Sequence, residues 1–209
     1  SCFVGLCCGA CVRCWRGGAL LHWAVVGFQI AQKYVCELEQ EFAFINSNDG
    51  FNYCFASGGG RERIVMDRDR DWSKVEQGWN LMVHGQGDQR FPSMMAAIEH
   101  MRRENPNLID QDMDGFVIVD DNDQPRGAMC DSDAVVMVNF RGDRAIEITE
   151  AFELDDFDGF DRGSRPDVVY AGTMVYAEER NLPELQWMGP SSVPKTLGRG
   201  IIALGVKHF

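Results

Sequence analysis

The chain is short of basic residues and of long apolar runs, and each shortage removes a class of function. No stretch stays apolar for the ~18 residues that a membrane span needs, so no membrane partner is expected. Lys and Arg number 20 against 32 Asp and Glu, a net charge of −12. That field repels a polyanion such as nucleic acid, and any anion has to be held by a local cluster of arginines. Nucleotide signatures are missing too. The run SGGGR is followed by no Lys-Ser or Lys-Thr, as a Walker loop demands, and it is not GxGxxG. The acidic run DDNDQP at 120–125 opens like a calcium loop but has Pro125 and Asp131 where an EF-hand needs Gly and Glu. It reads as a hairpin turn with a solvated tip. His84 and His100 have no partner nearby in sequence, whereas metal ligands converge, so both are taken as structural or exposed.

What is present is a globular composition. With 209 residues, 45% hydrophobic and 25% charged, the chain can bury a core of good size. Of its eight cysteines, Cys2, Cys7, Cys8, Cys11 and Cys14 crowd the first fourteen residues. Cys36, Cys54 and Cys130 are scattered like the reduced core thiols of a cytoplasmic protein. Residues 1–24 stand apart in composition and are expected to be a poorly ordered leader outside the fold, with the domain over 25–209. Two rival readings of the leader are weaker. An iron–sulfur run through Cys8, Cys11 and Cys14 lacks a fourth ligand, and a secretory signal over 19–28 would have cysteines where its basic region belongs. Because it opens on Ser1 and closes on GVKHF without a tail, the chain reads as a fragment.

The hydrophobic spacing predicts an α/β fold, a mostly parallel or mixed sheet flanked by helices in three layers. Val26, Ile30, Tyr34, Leu38 and Phe42 recur at fours and predict an amphipathic helix over 25–44, closed by a turn at 46–50. A strand over 51–56 opens into the glycine loop. Ser73, with Glu76 three residues on, predicts a capped helix whose buried face is Val75, Trp79, Met82 and Val83. A second helix, 93–103, buries Met94, Ala97, Ile98 and Met101. Strands follow at 116–119, with a return at 127–129, at the start of 134–144 (AVVMVNFRGDR) and at 168–176, broken by Gly172. Between the last two, Ala145, Ile148, Thr149 and Phe152 make the stripe of a helix. Residues 181–194, with three prolines, read as extended, and 196–204 as the start of a helix.

The stretch AVVMVNFRGDR carries the functional signal. An unbroken apolar run suits a strand buried on both faces of a sheet, and open α/β sheets bind ligands beyond the carboxyl ends of their strands. Arg141 and Arg144 stand there. Arg61 follows the glycine loop, whose backbone N–H groups could face an anion, and Arg68 follows another strand end. The motifs SGGGR, MDRDRDW, FVIVD, DAVVMVNFRGDR, AFELDDFDGFDR, VVYAGTMVY and TLGRGIIALGVKHF, in that order, resemble the cofactor-independent phosphoglycerate mutases, most closely their plant and protist branch, over residues 26–209.

The resemblance implies an enzyme of glycolysis and gluconeogenesis that interconverts 3-phosphoglycerate and 2-phosphoglycerate through a phosphoserine. It further implies two domains, one phosphatase-like with two Mn2+ and the serine, the other an inserted phosphotransferase domain. This chain is similar to the inserted domain, and Arg61, Arg68, Arg141 and Arg144 match the arginines that bind the substrate's phosphate and carboxylate. The metal ligands and the nucleophile would lie outside these residues. The chain alone would then bind no metal, be inactive as an enzyme, act as a monomer and have the phosphatase-like domain as its partner. The alternative is a catalytically inactive phosphate-binding or interaction module.

Overall fold

The computed structural model describes residues 3–7, 10–14, 29–49, 51–65, 67–139 and 142–189. Among them lie eight strands and four α-helices: β1 Phe3–Cys7, β2 Ala10–Cys14, α1 Ala31–Asp49, β3 Tyr53–Gly58, α2 Trp72–Met82, β4 Gln89–Phe91, α3 Met94–Glu104, β5 Phe116–Ile118, β6 Ala134–Val138, α4 Ile146–Glu153, β7 Val169–Gly172 and β8 Leu185–Gln186. The strands form one mixed sheet in the order β4-β5-β3-β2-β1-β6-β7-β8. β1, β6, β7 and β8 run parallel, β4 runs parallel to β5, and β3 is antiparallel to both β2 and β5. Helices α1 and α3 pack on each other, α2 packs on α4, and both pairs reach β3. This is the α/β architecture that the hydrophobic spacing predicts.

Strands β1 and β2 lie within the segment 1–24 that the composition sets apart. Val4 through Cys7 pair with Val135 through Val138 of β6, and Ala10 through Cys14 pair with β3. Part of the cysteine-rich segment therefore occupies the middle of the sheet. Cys36 and Cys130 are exposed and Cys54 is half-buried, so the scattered thiols are not core residues.

The helices show which signals decide local structure. Ser93 caps α3 by accepting the N–H of Ala96 at 3.1 Å, and Met94, Ala97, Ile98 and Met101 are its buried residues, as their spacing predicts. In α2 the cap is Asp71, not Ser73, whose hydroxyl instead donates to Asp71 Oδ1 at 2.5 Å. Helix α1 begins at Ala31 because Asp110 Oδ2 accepts the N–H groups of Ile30 and Ala31, each at 2.8 Å. It continues through 46–49, where a turn is expected, and Asn46 bonds both polar backbone groups of Tyr53 beyond the helix end. The return strand at 127–129 is absent. Only an isolated bridge, Val119 to Pro125, answers β5, and Asp120 Oδ1 tightens the turn by accepting from Asn122 and Gln124. The helix foreseen at 196–204 lies outside the described residues.

The core gathers Trp79, Phe116, Ile64, Met82, Met137, Ile148 and Val35, all with almost no exposure. Val135, Val136 and Met137 of β6 are buried, and β6 has a parallel neighbour on each side, as a two-faced central strand requires. The stripe Ala145, Ile148, Thr149 and Phe152 is buried along α4. Among the described residues, no helix is long and apolar enough to cross a membrane.

Candidate anion-binding site

Three segments meet beyond the carboxyl ends of β3 and β6: the glycine loop and its continuation to Val65, the loop 67–71, and the 3-10 turn Gly142–Arg144. The end of β6 is clamped from the side of β7. Tyr176 donates from its hydroxyl to the carbonyls of Met137 at 2.8 Å and Asn139 at 3.1 Å, and the Thr173 hydroxyl donates to Asn139 O.

Gly60 of SGGGR is committed to packing. A Cβ at Gly60 would sit 2.2 Å from the carbonyl oxygen of Gln111, which only a glycine avoids. Its N–H is already donated to Met113 O at 2.8 Å, and Glu62 donates its N–H to Gln111 O at 3.1 Å. The loop is thus fastened to the 3-10 turn Asp110–Asp112, and this fixes the direction in which Arg61 leaves it.

Arg61 donates through Nη2 to Gln111 Oε1 at 2.9 Å, with Nε at 3.3 Å from the same atom. Its Nη2 also lies 3.3 Å from Glu62 Oε1, and Arg144 Nη2 lies 3.5 Å from that same oxygen. Two guanidinium groups from separate loops therefore converge on one carboxylate oxygen. Arg68 joins from the third segment, with Nη1 3.4 Å from Asp143 Oδ2. Side-chain exposure rises from 16% at Arg144 through 29% at Arg61 to 47% at Arg68, so the first two are held by packing and the third is the most accessible. Arg141 lies outside the described residues.

Buried carboxylates hold the Arg68 loop. Asp67 Oδ2 accepts the N–H groups of Asp69 and Asp71, each at 2.8 Å, and Lys74 Nζ stands 3.5 Å from Oδ1. Burial alone pushes the Asp67 carboxyl up, but the two N–H bonds and Lys74 together outweigh it and leave Asp67 below the usual carboxylate range. Glu147 goes the other way. Burial raises it, the Arg70 N–H donated to Oε1 at 3.0 Å offsets part of that, and the nearby Asp67 charge adds to the rise. Arg70 is not simply a solvated charge. It lies over the Trp72 ring and pairs at 3.1 Å with the buried Glu150, which also accepts Arg180 Nη2 at 2.7 Å.

The other sequence candidates have structural partners. The His84 ring lies 2.9 Å from Arg162 O and edge-on to Trp79, and His100 faces Glu104 one turn along α3. Among the described residues, no group of three or more His, Cys, Asp or Glu could hold a metal ion. Glu62, Gln111 and Asp143 are the site residues that sequence reasoning overlooks as partners. Each contact with Gln111 or Asp143 spans 50 to 75 positions, and no local pattern announces it.

Residues 26–178 match the family model described as the BPG-independent PGAM N-terminus. The chain belongs to that family. It is 43% identical over 193 residues to a probable 2,3-bisphosphoglycerate-independent phosphoglycerate mutase of Leptospira interrogans serogroup Icterohaemorrhagiae serovar copenhageni, a match covering 90% of this chain and 35% of that protein. It is 38% identical over 195 residues to the 2,3-bisphosphoglycerate-independent phosphoglycerate mutase of Prunus dulcis, covering 92% and 38% respectively. Among solved structures, Leishmania mexicana phosphoglycerate mutase, crystallised at low cobalt concentration, superposes with a TM-score of 0.79 at 39% identity, over 90% of this chain and 34% of that one. The chain thus spans about a third of the length of the phosphoglycerate mutases it matches.

Proposed function

We propose that residues 25–209 are the substrate-binding, phosphotransferase domain of a BPG-independent phosphoglycerate mutase, and that Arg61, Arg68, Arg141 and Arg144 bind the phosphate and carboxylate of phosphoglycerate. One observation carries the reading: Arg61 and Arg144, from different loops, aim at a single carboxylate oxygen. Guanidinium groups so placed can hold an oxyanion by paired, charge-assisted bonds and neutralise charge as a phosphoryl group moves. The whole protein would interconvert 3-phosphoglycerate and 2-phosphoglycerate in the cytoplasm as a monomer. In this reading the phosphoserine and the two Mn2+ belong to a phosphatase-like partner domain. Among the described residues, no group of three or more His, Cys, Asp or Glu side chains could hold those ions.

The contribution of this chain is then positioning and charge neutralisation, without a group to accept the phosphoryl. The 209-residue chain, given 3-phosphoglycerate and Mn2+ in an enolase-coupled assay, is expected to bind without turnover. Turnover would place the phosphoryl acceptor within the chain and overturn this division of labour. The alternative is a catalytically inactive phosphate-binding or interaction module. Restored turnover on adding the separately produced phosphatase-like domain of a relative would exclude it.

A further inference from the structure

We propose that Glu62 is the internal counter-anion of this site and sets its affinity for phosphoglycerate, because an incoming phosphate or carboxylate must displace the Glu62 carboxylate from Arg61 and Arg144. The inference rests on the reading of those arginines as substrate-binding groups and adds a residue to it.

The geometry supports displacement over permanent pairing. Glu62 Oε1 stands 3.3 Å from Arg61 Nη2 and 3.5 Å from Arg144 Nη2. Both distances exceed the ~2.7–2.9 Å of a well-made charge-assisted bond, so the shared oxygen holds each guanidinium loosely. A phosphate brings more charge and several oxygens, and can meet both arginines at full bonding length. Glu62 can withdraw without collapsing the site. Its backbone is pinned by the bond from its N–H to Gln111 O, while its side chain is about one-third exposed and has solvent to move into. Arg61 keeps its direction when Glu62 leaves, since the neutral Gln111 amide oxygen holds its Nη2 at 2.9 Å. Arg144, at 16% exposure, is held by packing. Glu62 thus competes with the substrate for the two guanidinium groups.

The test is calorimetric titration of 3-phosphoglycerate, and separately of inorganic phosphate, into the 209-residue chain at low salt, comparing wild type with Glu62→Gln, Glu62→Ala and Arg144→Ala. Two partly exposed ion pairs are removed by Glu62→Gln, so binding is expected to tighten about three- to tenfold. Glu62→Ala should tighten at least as much, and both variants should unfold at the wild-type temperature. If both bind as wild type or more weakly while Arg144→Ala loses affinity, the arginine reading stands and this proposal is overturned. If Arg144→Ala binds like wild type, or wild type does not bind, the arginine reading fails and the proposal falls with it.

Discussion

Arg68 and Asp143 stand 75 positions apart in sequence and meet at 3.4 Å, Nη1 to Oδ2. The pair ties the loop after Asp67 to the turn that carries Arg144, and so brings the third arginine toward the other two. Both side chains are substantially exposed, at 47% and 38%, and such a pair contributes only ~0–1 kcal/mol to stability. Arg68→Ala is therefore expected to move the unfolding temperature by no more than about 4 °C. Its effect on 3-phosphoglycerate should be larger. Losing one charge-assisted bond weakens binding by about tenfold or more. Thermal unfolding and ligand titration of the same preparations check this, and a stability loss with unchanged binding would make Arg68 structural only.

Glu147 gives the site a pH signature. It is almost fully buried, and its raised pKa, caused first by burial and then modulated by Arg70 and Asp67, means that the folded state holds its proton more tightly than the unfolded chain. The stability tied to that proton is complete below the ordinary Glu value of about 4.3 and is lost as pH rises through the raised folded value. Asp67 has the opposite sign. Its lowered pKa adds stability above about 3.9, and that part is lost as pH falls through the folded value. Glu39 and Glu153 are also raised by burial and slope the same way as Glu147, so the comparison has to be made with a variant. Glu147→Gln should be more stable than wild type at pH 7, with the difference closing toward pH 4. Unfolding temperatures across that range measure it, and a difference independent of pH would remove Glu147 as the cause.

Local signals were legible and long-range ones were not. The α3 cap and stripe and the β6 run could be read because each is decided within about a dozen residues. The start of α1 could not, since the group that caps it is Asp110, 79 positions from Ala31. β1 and β2 escaped notice because a strand's place in a sheet depends on pairing, and no composition rule shows that Gly5 will face Val136. At the site, Arg144 stood out by following the end of β6, whereas the residues 61–65 ahead of the Arg68 loop form a turn and not the expected strand, and Gly60 of SGGGR packs against Gln111. The contact of Arg144 with Glu62 and that of Arg68 with Asp143 each join loops far apart in sequence.

Asp110 illustrates how much one distant residue can carry. Besides capping α1 it forms an ion pair with Arg102, and the two side chains are only 2% and 13% exposed. Asp110→Ala leaves a buried guanidinium without that carboxylate and two helix N–H groups without an acceptor. The expected cost is roughly 3–5 kcal/mol, with Asp110→Asn losing less because its amide oxygen can still cap. Urea unfolding gives the magnitude, and hydrogen exchange should show the first turn of α1 losing protection. A loss below about 1 kcal/mol would mean that the pair is no better than a surface one.

Gly78→Ala sets helix propensity against packing. Position 78 lies inside α2, where alanine is favoured over glycine by ~1 kcal/mol on intrinsic grounds. A Cβ there would fall 1.9 Å from Val65 Cγ2 and 3.1 Å from the Val65 backbone nitrogen, far inside contact distance. Val65 cannot easily yield. It is fully buried, has a left-handed φ of 67° and donates its N–H to Lys74 O at 3.0 Å, and it sits two residues before Asp67. Overpacking costs of ~1–3 kcal/mol exceed the propensity gain, so the variant should be less stable than wild type. The displaced Val65 should also disturb the Arg68 loop, so 3-phosphoglycerate binding is expected to weaken together with stability. A variant with raised stability and unchanged binding would show that α2 can shift away from Val65 and that the loop does not depend on this contact.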